Sequence, residues 1–365
     1  MDKEARMAEA MTWKCPNCGG GLIFDPETQN FHCQYCLSDF DREELEAPEP
    51  DDSPGEPEMD GRIKDSTADS GTEEPEAAVY LCPSCGAELV TDGTTAAAFC
   101  FYCHNPVILQ GRLEGAYRPD YVIPFTVRKE WARQIFLDWL QKKRFVPKSF
   151  YDEKQLETMT GVYFPYWLYS CRADGTLEAE GTKLRIWTTG NLRYTETSRY
   201  QVSRKGQMQV EHVPRNALKK ADRRLAEGVM PYRTEKMQPF SMEYLSGFYA
   251  EKWDMGREQF EPEVEAEVRA FAADQLKESV SGYHSLKTTK ESVQLSDPQW
   301  SYALLPVWTL TYKDKKTGTI YYFACNGQTG KVCGRLPLDR KKLGLFFLEI
   351  FLPVAAFLLL AGYLI

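Results

Sequence analysis

The residues most able to do chemistry are eight cysteines in two identical sets. Cys15, Cys18, Cys33 and Cys36 stand in "KCPNCGGGLIFDPETQNFHCQYC". Cys82, Cys85, Cys100 and Cys103 repeat the spacing in "LCPSCGAELVTDGTTAAAFCFYC", at an offset of 67 residues. A Cys-x-x-Cys pair sits in a short turn that aims two thiolates at one point. The fourteen residues between the pairs suit a β-hairpin that brings the second pair opposite the first. Four thiolates so placed make a closed tetrahedral site of the structural zinc kind. Gly19 and Gly86 follow the first turns, where a residue without Cβ lets backbone amides approach the sulfurs. Two disulfides per unit would need an oxidising compartment, and iron in a rubredoxin-like site fits the same spacing. Zinc, two ions per chain, is the expected cofactor. Units this small bury little core, so the metal would supply much of their folding energy, roughly 10–16 kcal/mol in comparable peptides.

The elements that must position these sets are expected in five segments: ribbon 1 at 1–44, an acidic disordered linker at 45–78, ribbon 2 at 79–110, an α+β domain at 111–338 and an apolar helix at 343–365. The chain has 365 residues, 13% aromatic content and a net charge of −9. Residues 46–76 hold twelve Asp and Glu against Arg62 and Lys64, a net −10, so the rest of the chain is near neutral at +1. That stretch lacks aromatics and is rich in Pro, Gly and Ser, too little apolar surface to offset the entropy of ordering. The opening "MDKEARMAEAMTW" is charged and reads as no signal peptide. Residues 343–365 carry one charge, Glu349, and at ~1.5 Å per residue would reach ~35 Å. A single transmembrane helix is the expectation, with Arg335, Arg340, Lys341 and Lys342 placing the upstream chain in the cytoplasm.

Within 111–338, Trp131, Ile135, Phe136, Trp139 and Leu140 recur at helical spacing. "GVYFPYWLYSCRADGTLEAEGTKLRIW" reads as paired strands with "ADG" as the turn. A related order follows: "QPFSMEYLSGFYAEKW", the helical "PEVEAEVRAFAADQL", then "LLPVWTLTYKDKKTGTIYYFACNGQTGKVCGRLP". Phe164-Pro165-Tyr166-Trp167 matches Leu305-Pro306-Val307-Trp308. These repeats imply two helix-plus-antiparallel-hairpin units.

No catalytic constellation stands out, and the chain reads as a non-enzyme. His32 and His104 neighbour ribbon cysteines but each set already has four thiolates, so both read as bystanders. His212 and His284 lack a partner pattern. "CNGQTGKV" fails the phosphate-loop pattern at Cys325 and Val332 and reads as a Gly-rich hairpin turn. Cys171, Cys325 and Cys333 read as reduced core thiols, with Cys325 and Cys333 flanking that hairpin. A basic stripe, Arg215, Lys219 and Arg223 with Lys220 and Arg224, repeats at i, i+4. It reads as a solvated helix face, or as a contact for anionic lipid. Phosphate-backbone affinity comes mostly from Lys and Arg. Ribbon 1 offers Arg42 against six carboxylates from Cys15 to Glu44, and ribbon 2 offers none from Cys82 to Cys103, so nucleic acid is not the expected partner.

The ribbons, with "YFPYWLY", "YLSGFYAEKW" and "LPVWTLTY…NGQTGKVCGRLP", resemble the bacterial transcription-factor-IIB-type zinc-ribbon membrane proteins, some found near phage-shock protein A and flotillin-like proteins. The resemblance covers nearly the whole chain upstream of 343. It implies a membrane-anchored adaptor that recruits or organises envelope-stress proteins at the inner face of the cell membrane. The alternative is a nucleic-acid-binding or transcription-related ribbon protein tethered to the membrane. Glu349 and Pro353 mark one face of the apolar segment, where a carboxylate either reaches the headgroups or meets a partner helix.

Overall fold

The computed structural model describes residues 10–45 except 43, 78–113 except 86, 87, 92, 101–103, 110 and 111, 115–314 except 148, 149, 151, 152 and 222, and 318–364. All but the ends of the expected acidic linker lies outside the described residues. The architecture is mixed α/β around one large sheet of eleven strands, with a three-stranded and a two-stranded sheet beside it.

Three long strands dominate the sheet. Thr160–Thr189 forms a hairpin with Leu192–Asn216, closed by a two-residue turn in which Gly190 takes φ +61. Ser285–Lys313 pairs antiparallel with the other edge of Thr160–Thr189, from Thr160↔Thr309 to Thr182↔Ser285. Asp174 and Gly175 are therefore interior strand residues and not a turn. Gly175 is needed there for space: a Cβ would meet Leu276 Cδ1 at 2.4 Å. At one end the strands are buried and aromatic. Beyond Glu178 they rise clear of the core as a mostly exposed blade.

Two helices lie on the same sheet face. Lys129–Gln141 buries Ala132, Phe136 and Leu140, with the Phe136 ring 4.5 Å from that of Phe323. Trp131, expected on the apolar stripe, is 70% exposed. Glu261–Glu278 buries Val264 and Val268 against Tyr169 and Cys171.

The chain order helix, hairpin, helix, hairpin does not make two separate units. Short strands are exchanged. Tyr121–Val122, from the first half, pairs parallel with Ala303 and Leu304 of the second. Tyr249–Glu251, from the second half, pairs parallel with Val162 and Tyr163 of the first. The halves therefore complete each other's sheet, and neither has its full complement of strands alone.

Among the described residues, no helix is long and apolar enough to cross a membrane. The helix Arg340–Leu364 opens on Arg340, Lys341 and Lys342, and its apolar run is interrupted by Glu349 and Pro353. The expected transmembrane span is not supported, nor is the single-pass placement that rested on it. The root of this helix is fastened to the protein: the Asp339 N–H donates to the Phe145 carbonyl (2.7 Å), Lys342 Nζ donates to the Val146 carbonyl (2.7 Å), and Phe346 packs on Phe145 at 5.3 Å.

Candidate metal centres

Ribbon 1 is the sheet of Leu22–Asp25, Asn30–Cys33 and Asp39–Phe40. Its turns are built to one rule. The Cys15 N–H donates to the Gly20 carbonyl (2.7 Å), and the Gly19 N–H donates back to the Cys15 carbonyl (2.8 Å). Cys33 makes the same two bonds with Ser38 and Leu37 (2.9 and 2.9 Å). In ribbon 2, Cys100 makes them with Asn105 and His104 (2.9 and 2.9 Å). The fourth residue after each cysteine is left-handed: φ is +73 at Gly19, +59 at Leu37 and +58 at His104. His104 thus holds a turn position. His32 instead places Nδ1 2.8 Å from Asp39 Oδ1 on the neighbouring strand.

The turns bring the expected thiols together. Cys15 and Cys36 sulfurs lie 3.5 Å apart, as do those of Cys18 and Cys33. Cys82, Cys85 and Cys100 converge likewise, with Cys85 and Cys100 sulfurs at 3.7 Å, and within each group all sulfurs lie within 4.8 Å of one another. A disulfide needs about 2.05 Å, so these are separate thiols. Metal–sulfur bonds of about 2.3 Å in a tetrahedron put neighbouring sulfurs about 3.8 Å apart. The groups therefore fit a metal ion. Cys103, the expected fourth ligand of ribbon 2, lies outside the described residues.

The environment differentiates the thiols of ribbon 1. The Ser38 hydroxyl, and then its amide, favour the Cys36 thiolate and lower its pKa to about 6. At Cys18 the Gly20 amide pulls downward, but the crowding thiols of Cys33, Cys36 and Cys15 and partial burial prevail, and the group is pushed up to about 12. A bound cation would displace the protons these hydrogen-bonded thiols share and favour their thiolate forms.

Both ribbons are fixed to the frame. Arg128 grips Asp25 in a bidentate pair, Nε to Oδ1 at 3.0 Å and Nη2 to Oδ2 at 2.6 Å, and also reaches Glu27. The Phe24 N–H donates to the Ser246 carbonyl at 3.1 Å, and Gln29 Nε2 to the Phe125 carbonyl at 2.9 Å. Ribbon 2 enters the main sheet outright: its hairpin of Thr95–Phe99 and Pro106–Leu109 pairs with Tyr249–Glu251 through Ala97↔Ala250. Ala10–Met11, ahead of the first cysteine pair, pairs with Leu109 and Ile108 of ribbon 2. Tyr35 of ribbon 1 donates to Asn105 of ribbon 2 at 3.2 Å. His32 and His104 line one cleft of about 510 Å³ between the ribbons and the frame, beside Arg128 and Lys129.

The remaining candidates are dispersed. Arg215 ends a strand and helix begins only at Arg223, so the basic stripe shares no helix face. Arg215 pairs with Glu267, Lys220 with Glu251 (2.9 Å), and Arg223 with Glu227 and Glu263. Cys325 is buried in the core opposite Val332, while Cys333, opposite Ala324, reaches the Arg224 carbonyl, so those two thiols do not face each other. Cys171 is buried under the second helix.

Sheet and thiol clusters together define a protein with two Cys-rich β-ribbons locked onto a strand-exchanged frame. The chain is 30% identical to the "Uncharacterized protein YdjG" of Bacillus subtilis (strain 168) over 337 residues, 92% of this chain and 93% of that one. It belongs to the family of that protein. No family model matches the chain. No solved structure matches it.

Proposed function

We propose that this chain is a non-enzymatic zinc-ribbon adaptor, a scaffold that presents contact surfaces to other proteins. Zinc suits four soft thiolates in a tetrahedron. Four protein ligands leave no open position for a substrate, which is the mark of a structural site. The observation that carries the reading is the division of the molecule. The thiol clusters are fastened to one end of the frame, and the blade projects from it with Leu184, Ile186, Trp187, Leu192 and Tyr194 exposed near its tip. Trp187 and Tyr194 stack at 5.5 Å there, with Arg185 over the Trp187 ring at 5.5 Å. Trp187, Leu192 and Tyr194 share one face of the tip and Leu184 and Ile186 the other; exposed apolar clusters rimmed by polar side chains mark contact sites for proteins.

The resemblance to ribbon proteins found near phage-shock protein A and flotillin-like proteins makes those two classes the first partners to test. The purified chain is titrated with a purified member of each class by isothermal calorimetry. Saturable binding to one of them, weakened at least tenfold in Trp187→Ala/Tyr194→Ala, is the expected result. Absence of binding to both overturns the partner assignment.

A further inference from the structure

The strand Leu192–Asn216 has one partner. It pairs with Thr160–Thr189 along its whole length, and among the described residues no strand pairs with its other side. Its two-residue turn makes Thr189↔Leu192 a hydrogen-bonded pair. Amides then alternate along the strand. Those of even-numbered residues bond inward to Thr160–Thr189, and those of Arg193, Thr195, Thr197, Arg199, Gln201, Ser203 and Lys205 point outward. No proline interrupts this edge between Leu192 and Val213. An open edge of this length is a template for another strand.

We propose that the edge pairs with the same edge of a second copy of this chain, antiparallel and centred on Tyr200, so that the two blades form one sheet. The side-chain pattern selects both the occupant and the register. With Tyr200 opposite its own copy, Glu196 falls opposite Arg204 on each side of the centre, giving two ion pairs. Tyr194 falls opposite Gly206, so an aromatic ring covers a glycine in the ladder. Ser198 falls opposite Val202, and no like charges meet. Outward amides of Arg199 and Gln201, and of Thr197 and Ser203, exchange hydrogen bonds across the dyad, as an antiparallel ladder requires. Other centres do worse. Glu196 or Arg199 at the centre opposes a charge to itself, Val202 sets Lys205 against Arg199, and Ser198 makes no ion pair. Glu196 sits opposite Arg185 within its own chain, while among the described residues Arg204 donates to the neighbouring Ser203 carbonyl alone and has a guanidinium to offer a second copy. Tyr194, Glu196, Tyr200 and Arg204 are all exposed.

The test is sedimentation equilibrium of the purified full-length chain. The wild type is expected to dimerise. Glu196→Arg, which sets arginine opposite Arg204, and Arg204→Glu, which sets glutamate opposite Glu196, should each weaken the dimer by roughly tenfold or more, two cross-strand pairs being turned repulsive. The double swap Glu196→Arg/Arg204→Glu should restore it, a result that a folding defect cannot imitate. Thr197→Pro deletes an outward donor without touching the inward ladder and should abolish the dimer while far-UV circular dichroism is unchanged. A wild type monomeric at every concentration overturns the proposal, as do charge reversals that leave the association constant unaltered or a double swap that fails to recover it.

Discussion

Trp167 and Trp308 perform the same task for opposite halves of the sheet. Trp308 Nε1 donates to the Val127 carbonyl at 2.8 Å, and Trp167 Nε1 to the Met255 carbonyl at 2.9 Å. Each indole thus holds the segment that the other half lends. The correspondence extends outward. Thr126 and Val127 donate to the Gly327 carbonyl, as Asp254 and Met255 donate to that of Ala217, and Gly327 and Ala217 donate in turn to Pro306 and Pro165. Phe125 packs on Trp308 at 5.0 Å as Trp253 packs on Trp167 at 5.5 Å. Tyr166↔Asn216 and Val307↔Asn326 close the two hairpins in matching register.

Removing either indole N–H should loosen this exchange. Trp308 is 5% exposed, so Trp308→Phe strands a buried carbonyl and should cost about 1–3 kcal/mol. Trp167 is only half-buried, water can reach the freed Met255 carbonyl, and Trp167→Phe should cost less. Urea unfolding of both variants measures the order. Equal and negligible effects would show that the indoles do not hold the exchanged strands.

Gly327 and Ala217 occupy corresponding places but differ in space. A Cβ on Gly327 would meet Phe125 at 2.6 Å and Pro306 at 2.8 Å, whereas Ala217 already buries one. Gly327→Ala should destabilise by about 1–3 kcal/mol through overpacking. Ala217→Gly should cost under about 1 kcal/mol. Thermal melts of the pair test this, and a Gly327→Ala melt at the wild-type temperature would contradict it.

Ribbon 1 docking should depend on acid. Burial works to raise the Asp25 pKa, but the Arg128 guanidinium outweighs it and holds the carboxyl below its usual value. A depressed native pKa gives stability that is complete above the unfolded value, near 3.9, and is lost as pH falls through the lower native value. At neutral pH the pair is intact, and it weakens below about pH 4. Asp25→Asn imitates the protonated state at any pH. Arg128 is partly exposed, so the loss should be about 1 kcal/mol, or roughly fivefold faster hydrogen exchange at the Phe24 amide at pH 7. An unchanged Phe24 rate in Asp25→Asn would show that this pair does not dock the ribbon.

The thiol groups were legible in the sequence because their ligands are local: each pair is set by one turn. In ribbon 1 the fourteen intervening residues form the expected hairpin, Leu22–Asp25 with Asn30–Cys33, whereas in ribbon 2 Glu88–Thr91 pairs back with Ala78–Leu81 and Thr95–Phe99 pairs onward with Pro106–Leu109. The match of Phe164-Pro165-Tyr166-Trp167 with Leu305-Pro306-Val307-Trp308 also announced a repeat. The strand exchange was not legible, since Tyr121–Val122 and Tyr249–Glu251 are two and three residues long and no periodicity emerges from so few. The blade is hidden in the sequence for a different reason. Asp174-Gly175 looks like a turn locally, yet the glycine is there to admit Leu276 from a helix a hundred residues on. The i, i+4 stripe from Arg215 to Arg224 suggested a helix, but each of Arg215, Lys220 and Arg223 is drawn away by a carboxylate distant in sequence. At the C-terminus an apolar composition pointed to a span that the described helix does not supply.

Native mass spectrometry of the chain, freshly purified without added reductant, tests the adaptor reading at its base, the two metal-held ribbons. The expected result is two zinc ions per chain, one lost in Cys15→Ser and the other in Cys82→Ser, each loss accompanied by faster proteolysis of the affected ribbon. A chain that carries no metal, with Cys15, Cys18, Cys33 and Cys36 joined in disulfides, would contradict it.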